Sequence, residues 1–392
     1  MRSFANAIVN PIAKPIAKPI RVKIVMLMLI GSMVLVSLTA CSPDNTKPDL
    51  AVQTVEVASG LTSPWSLAFL PDGRMLVTER VGNLRIVDTQ GNVSAAVGGV
   101  PAVATNGQGG LLDVQLAPDF ASTAQIYFSY SEPTSDGKYR TAVAQADFTD
   151  SSLNNLLVIF RQQPAVSAEH HFGSRLVFDS TGRLIITLGD RGQRDNAQLG
   201  DNTQGKVARI ERDGGIPTDN PFTGNSAYLP ELFTLGHRNP QGAARHPESG
   251  DIWIHEHGPL GGDEVNRLVA GKNYGWPRIT YGREYADGAA IGEGTTASDV
   301  EPPVYYWIPV SIAPAGMVFY TGDKVPALTG KLLLGAMAGK ALISLTITNG
   351  QVSNEQRLLT ELDERIRDVR EGPDGYPYVL TDSGKVLRIE PN

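Results

Sequence analysis

"LAFLPDGRMLVTERVGNLRIVD" (67–88) contains the unit from which the fold can be read. A short apolar strand, a Pro-Asp-Gly turn and a second β-rich strand form a tight hairpin, because Gly73 can take positive φ and the Pro-Asp pair before it favours turning. The unit returns as "LVFDSTGRLIITLGDRG" (176–192), "ARHPESGDIWIHEHG" (244–258) and "VREGPDGYPYVLTDSGKVLRIE" (369–390), with a weaker copy, "VQLAPDFASTAQIYFSY", at 114–130. One hairpin unit recurring through a whole chain is the signature of a β-propeller. About 340 residues at roughly 50 to 60 per blade predict an all-β, six-bladed β-propeller, although the copies near residue 290 are obscure. The 41 glycines and 26 prolines suit short strands joined by many turns. A β-sandwich or jelly roll is the competing architecture.

The N-terminus reads differently. Arg2, Lys14, Lys18, Arg21 and Lys23 precede the apolar run "IVMLMLIGSMVLVSLTA" (24–40), with no acid before it. That pattern is a secretory signal, and Leu38-Thr39-Ala40-Cys41 resembles a bacterial lipoprotein cleavage box. Cys41 is the only cysteine, so no disulfide can form within the chain, and lipidation of the new N-terminus would consume the thiol. The expected organisation is a signal peptide (1–40), a lipidated polar tether (41–53) and one propeller domain (54–392). The expected location is the cell envelope, in the outer membrane facing the periplasm where the host has one, with the lipid as the only membrane contact. An uncleaved membrane anchor is the alternative. The formal charge of −7 grows more negative once the signal leaves, which argues against nucleic acid as a partner.

All six histidines (170, 171, 237, 246, 255 and 257) lie in the middle of the chain. They fall among "NGQGGLLDVQLAPDF" (106–120), "HHFGSRLVF" (170–178), "LGDRG" (188–192), "LGHRNPQG" (235–242), "EHGPLGGDEVN" (256–266), "GKNYGWP" (271–277) and "RIRDVREGPDG" (365–375). In this order the set resembles the soluble pyrroloquinoline quinone (PQQ)-dependent aldose and glucose dehydrogenases, a family of six-bladed propellers, over nearly all of the chain from about Val52. The resemblance implies PQQ and calcium as cofactors, an aldose as substrate, oxidation at its anomeric carbon to a lactone, and an electron acceptor, quinone or cytochrome, that the sequence does not identify.

What the resemblance implies residue by residue can be set against the chemistry. His171 matches the general base, a task that suits an imidazole neutral at pH 7. Asp190 matches an acid that orients it, and Arg238 stands beside the reaction. Gln108, Arg238, Asn239, Tyr285, the 336–338 stretch of Ala336, Met337 and Ala338, and the pair Arg365 and Arg367 match cofactor contacts. Guanidinium groups suit the three carboxylates of PQQ, and on a strand residues 365 and 367 would face the same way. The backbone carbonyls of Gly258 and Pro259 match a calcium beside the quinone, while Glu264 and Tyr274 match a second calcium.

Two departures stand out. His170 replaces an Asp found before the base in some members. Ala338 stands where others have a cofactor-contacting Lys, leaving Lys340 either to reach in or to leave that contact unmade. His237 is expected to buttress its loop, His246 to sit in a hairpin turn, and His255 with His257 to alternate on one strand at a spacing that a transition metal could also use. If residues 170 and 171 are extended, only one of them faces the channel. Two other functions remain open on sequence: a non-catalytic glycan- or protein-binding propeller, which the Ala338 departure favours, and a calcium-dependent propeller lactonase.

Overall fold

The computed structural model describes residues 51–392, so the proposed signal, Cys41 and most of the tether lie outside the described residues. The first strand, Val52–Ala58, begins two residues before the expected domain boundary. It pairs antiparallel with the last strand, Val386–Pro391, from Val52 opposite Pro391 to Ala58 opposite Val386. It is the outermost strand of the sheet formed by Ile366–Glu371, Pro377–Thr381 and Val386–Pro391, so the two ends of the chain close the ring in one blade.

Six antiparallel sheets form the blades, five of four strands and one, within 64–87, of three. The five hairpin copies quoted above fall on the inner strands Pro64–Phe69, Leu111–Leu116, Gly173–Phe178, Pro240–Arg245 and Ile366–Glu371; the sixth, Pro314–Phe319, is not among them, and each of the six packs against its neighbours around the axis. The obscure region near 290 is a long connection between Asp263–Arg267 and Tyr305–Trp307, the third and fourth strands of the fourth blade.

Alternation along each middle strand explains why these strands read as continuous apolar runs. In Leu184–Leu188, Leu184 and Ile186 join the core shared with the second blade, while Ile185 joins the core shared with the fourth. In Leu332–Ala336, Leu332 and Leu334 pack toward the fourth blade and Leu333 toward the sixth. A strand buried on both faces has no polar side to show, so period-2 alternation disappears from its sequence. Every blade thus shares one core with each neighbour, and the six interfaces close a circle.

The axis is filled by charge. Arg175 lies 3.0 Å from both Asp113 and Asp368, and Arg370 bonds the same two carboxylates at 3.1 and 3.0 Å. Ser66 donates to Asp113 at 2.6 Å, and the Arg175 guanidinium lies 4.1 Å over the Trp65 ring. Two cations and two anions from three inner strands balance one another, which is what allows charges so deeply buried to remain ionised. This quartet ties the inner strands of the second, third and sixth blades together.

Candidate active site

His171 is set by backbone before side chain. The strand starts at Gly173, and His171 itself adopts a left-handed conformation (φ 57°), so the two histidines are not an extended pair and the opposite-face condition does not apply to them. Its amide donates to Gln108 Oε1 at 2.8 Å, and the Gln108 amide in turn donates to the Glu169 carbonyl. Gly189 in "LGDRG" has no side chain because a Cβ there would stand 1.9 Å from the His171 carbonyl oxygen. Close approach of these two loops is therefore written into that glycine.

The approach delivers Asp190 to the imidazole. His171 Nδ1 lies 2.7 Å from Asp190 Oδ1. The same carboxylate, fully buried, accepts the Gly192 amide at 2.7 Å on Oδ1 and the Trp276 indole N–H at 2.8 Å on Oδ2. An oxygen pair surrounded by donors must be ionised to accept from all of them. Burial alone would raise the Asp190 carboxyl, but the hydrogen bond from His171 and the Gly192 amide win and hold it below the usual range. Burial pulls the His171 imidazole down to about 4, outweighing the Asp190 hydrogen bond that pushes the other way, while the Arg238 charge adds to the fall. The ring is neutral at pH 7. With Asp190 taking the Nδ1 proton, the lone pair sits on Nε2, the arrangement a general base requires. His170 is exposed and meets the His171 ring edge-on at 4.5 Å between centroids.

Arg238 and Asn239 join the same group. The Arg238 carbonyl accepts the Asp190 amide at 2.8 Å, and Asn239 Oδ1 accepts the Gly173 amide at 3.1 Å. Arg238 Nη1 donates to the His257 and Gly258 carbonyls at 3.0 and 2.8 Å, so its charge meets only neutral acceptors. Arg365 and Arg367 converge as the sequence suggests, but on a residue it did not single out: both donate to Asp382, at 2.7 and 2.9 Å. Arg80, also missed, donates to the Gly107 and Gly109 carbonyls; burial lowers it with Asp382 opposing at longer range, and its charge in turn lowers Arg367. Among the described residues neither Arg80 nor Arg238 has an ion-pair partner within 4 Å. The surplus positive charge fits a ligand carrying several carboxylates.

Ala336 and Met337 are buried at the end of Leu332–Ala336, and Met337 Sδ lies 3.6 Å from Arg365 Nη2, whereas Ala338 is exposed. Lys340 does not replace the missing lysine: its ammonium is paired with Asp363 at 2.8 Å. Tyr285 stands 64 % exposed on the 283–290 loop, and no hydrogen bond joins it to this group.

A second cluster surrounds Glu264 and Tyr274. A cavity of about 10 Å³, room for one ion or water, has Arg238, Glu256, Gly258, Glu264 and Tyr274 among its lining residues. Glu264 accepts one hydrogen bond, from Asn266 at 3.2 Å, and Asn266 Oδ1 is buried without a partner. Burial, with the Glu256 charge next to it, pushes the Glu264 carboxyl well above the usual carboxylate range. Glu256 is satisfied by His237, the Arg238 amide and Asn266, so Glu264 is the one carboxyl here short of donors, and it is the side chain that a hard cation would use. Above them, Asp263 accepts the Gly258 amide at 2.9 Å and the Ile312 and Ala313 amides, which fixes the 257–258 peptide plane and ties this loop to the fifth blade. The Tyr274 hydroxyl is engaged elsewhere, donating to the Arg267 carbonyl, so only its backbone could serve an ion.

The other histidines are structural. His237 bonds Glu256 and Thr234 at 2.8 Å and stacks on Tyr274. His246 caps its hairpin turn by accepting the Ser249 amide. His255 and His257 use Nε2 on the Gly316 and Pro314 carbonyls of the fifth blade, at 3.3 and 2.7 Å, stitching blades rather than converging on a metal.

With this geometry in place, the chain matches the glucose/sorbosone dehydrogenase family over residues 61–388. The chain belongs to that family. Aldose sugar dehydrogenase YliI of Escherichia coli K12 is 48% identical over 349 residues, spanning 87% of this chain and 94% of that protein. The crystal structure of the soluble aldose sugar dehydrogenase from Escherichia coli in its apo form superposes with a TM-score of 0.84 at 46% identity, covering 87% of this chain and all of that one. The PQQ-bound aldose sugar dehydrogenase of Streptomyces coelicolor superposes with a TM-score of 0.73 at 25% identity, covering 88% and 99%. Membership of the glucose/sorbosone dehydrogenases makes the chain one of a family of sugar oxidoreductases.

Proposed function

We propose that this chain is an exported, lipid-anchored aldose dehydrogenase that uses PQQ and calcium to oxidise the anomeric carbon of a cyclic sugar to the lactone. The observation that carries the reading is the His171–Asp190 pair at 2.7 Å, a neutral imidazole with a free Nε2 set beside an excess of arginine charge. A purely binding propeller has no use for an oriented base. The PQQ bound to the Streptomyces coelicolor relative supports the cofactor.

PQQ, when bound, supplies an ortho-quinone that accepts hydride. Arg238, Arg365 and Arg367 would hold its carboxylates, Gln108 and Asn239 would contact it, and the Gly258 and Pro259 carbonyls would hold calcium beside it. His171 Nε2 takes the proton of the anomeric hydroxyl, and Asp190 stabilises the imidazolium that results. Glu264 and the Tyr274 carbonyl would hold the second calcium. The lipid on Cys41 would keep the domain in the cell envelope, where a quinone or a cytochrome takes the electrons. The test is dye reduction by the purified chain loaded with PQQ and Ca²⁺, over a panel of aldoses. Oxidation of at least one aldose, dependent on both additions, is expected. Lactone hydrolysis or glycan binding without dye reduction would replace this reading with one of the two alternatives.

A further inference from the structure

Arg191 follows Asp190 in "LGDRG" and turns to the backbone that carries the base. Its side chain is fully buried, yet its bonds go to carbonyls and none to an anion. Nε donates to the His170 carbonyl at 2.9 Å, Nη1 to the Tyr139 carbonyl at 3.1 Å and Nη2 to the Ala168 carbonyl. The guanidinium lies 3.7 Å over the Phe172 ring. Burial pulls the group down to about 10, with Asp190 opposing, so it stays charged at pH 7.

A planar cation that donates from all three nitrogens can be buried only where acceptors converge on its plane. Ala168 and His170 both turn their carbonyls to it, and Phe172 covers its face, so the chain from 168 to 172 curls around the guanidinium. That curl holds His171 at φ 57°, which a residue with a Cβ does not favour on its own. Tyr139 opens the strand Tyr139–Phe148 of the second blade and exchanges two backbone bonds with Val166, so the third carbonyl ties the loop to a sheet. Asp190 and Arg191 therefore hold one residue from two sides, the carboxylate fixing the imidazole and the guanidinium the backbone beneath it. Geometry is the route, not charge. Burial apart, the charged groups that act most on the imidazole are Asp190, Arg238 and His170, whereas Arg191 acts on His170.

We propose that Arg191 is a positioning residue, the clamp that shapes the 168–172 loop and so sets His171 for proton transfer. The proposal rests on the base assigned above, and the experiment separates the two. Arg191→Lys keeps the charge but replaces the planar fork by a point donor, and Arg191→Met keeps the reach without either. In the full chain without cofactor, NMR titration reads the imidazole, assigned by the signal that His171→Gln removes. In both variants it should move up from about 4 toward about 6.5 as water reaches the loosened loop, with Asp190, Arg238 and His170 still in place. In the loaded enzyme, cofactor reduction at saturating aldose should slow about tenfold or more, while KM and cofactor retention change by less than about twofold. Should the variants fail to fold, Phe172→Leu, which uncovers the guanidinium but leaves its hydrogen bonds, should move titration and rate in the same directions. A titration that stays at about 4 in the folded variants or in Phe172→Leu, or a parent rate in Arg191→Lys, overturns the clamp. A shifted titration in a protein whose parent oxidises no aldose keeps the clamp and discards the dehydrogenase reading.

Discussion

Replacing Asp190 by Asn tests the centre of the argument. The carboxylate accepts three hydrogen bonds, from His171 and Gly192 on Oδ1 and from Trp276 on Oδ2. An amide offers one oxygen and one NH₂, so it cannot accept on both sides. With its oxygen toward His171, its NH₂ faces the Trp276 N–H and leaves that buried donor unpaired. With its NH₂ toward His171, the Gly192 amide loses its acceptor and the imidazole must accept on Nδ1, which puts the proton on Nε2 and ends its service as base. The first orientation orphans a buried donor, at about 1 to 3 kcal/mol of stability, whereas in the second the orphan is the amide of the exposed Gly192 and the loss is smaller. In both orientations the negative charge that favours the imidazolium is gone, so the His171 pKa falls further below about 4. Loss of a positioned general base costs about 100- to 10,000-fold. Stopped-flow reduction of the bound cofactor by an aldose isolates this step from the electron acceptor, and should slow at least about 100-fold while the cofactor remains bound. In a Trp276→Phe background, which removes the Oδ2 donor, Asp190→Asn should cost less stability but the same rate. A variant that reduces its cofactor at close to the parent rate would mean that His171 is not the base.

Other outcomes follow from the same contacts. Arg367→Ala should weaken cofactor retention by roughly 1.5 to 3 kcal/mol, read by equilibrium dialysis; unchanged retention would remove the arginine cluster from the cofactor site. For the parent enzyme, kcat/KM should show no acid limb near pH 6.5, because burial keeps the His171 imidazole neutral down to about 4. Burial pulls the Lys206 ammonium, whose donors reach the Asn196 and Gln204 carbonyls, down to about 7. Between about pH 7 and 10.5 the unfolded chain binds a proton that the folded chain does not, so stability should rise with pH by up to about 1.4 kcal/mol per unit. Urea unfolding of Lys206→Met should show that slope removed, and a retained slope would place its origin elsewhere. Cys41→Ala should block lipid attachment; mass spectrometry showing an unmodified parent N-terminus beyond residue 41 would refute the anchor.

The sequence by itself pointed to the propeller, because one hairpin unit recurs along the whole chain, while the uneven spacing of the copies left open a β-sandwich, which only the closed ring of six sheets excludes. It also marked His171, Asp190, Arg238, Asn239 and Gln108 through motifs whose order matched a family; the fold hydrogen-bonds the first three and Gln108 into one chain and sets Asn239 beside them on the Gly173 amide. What it left open were relations between distant residues. Trp276 is 86 positions from Asp190, and no periodicity in the chain pairs an indole N–H with that carboxylate. Asp382 lies in a hairpin turn that reads as solvent-facing, yet it collects Arg365 and Arg367 because the turn folds back onto the blade. Arg175, Asp113, Asp368 and Arg370 stand inside runs that otherwise read as core strands, where lone charges would be prohibitive. Only the convergence of inner strands on one axis makes them partners. Local sequence sets hairpins because their interactions span a few residues, whereas a site at the mouth of a ring is decided by closure, which sets residues from different blades side by side.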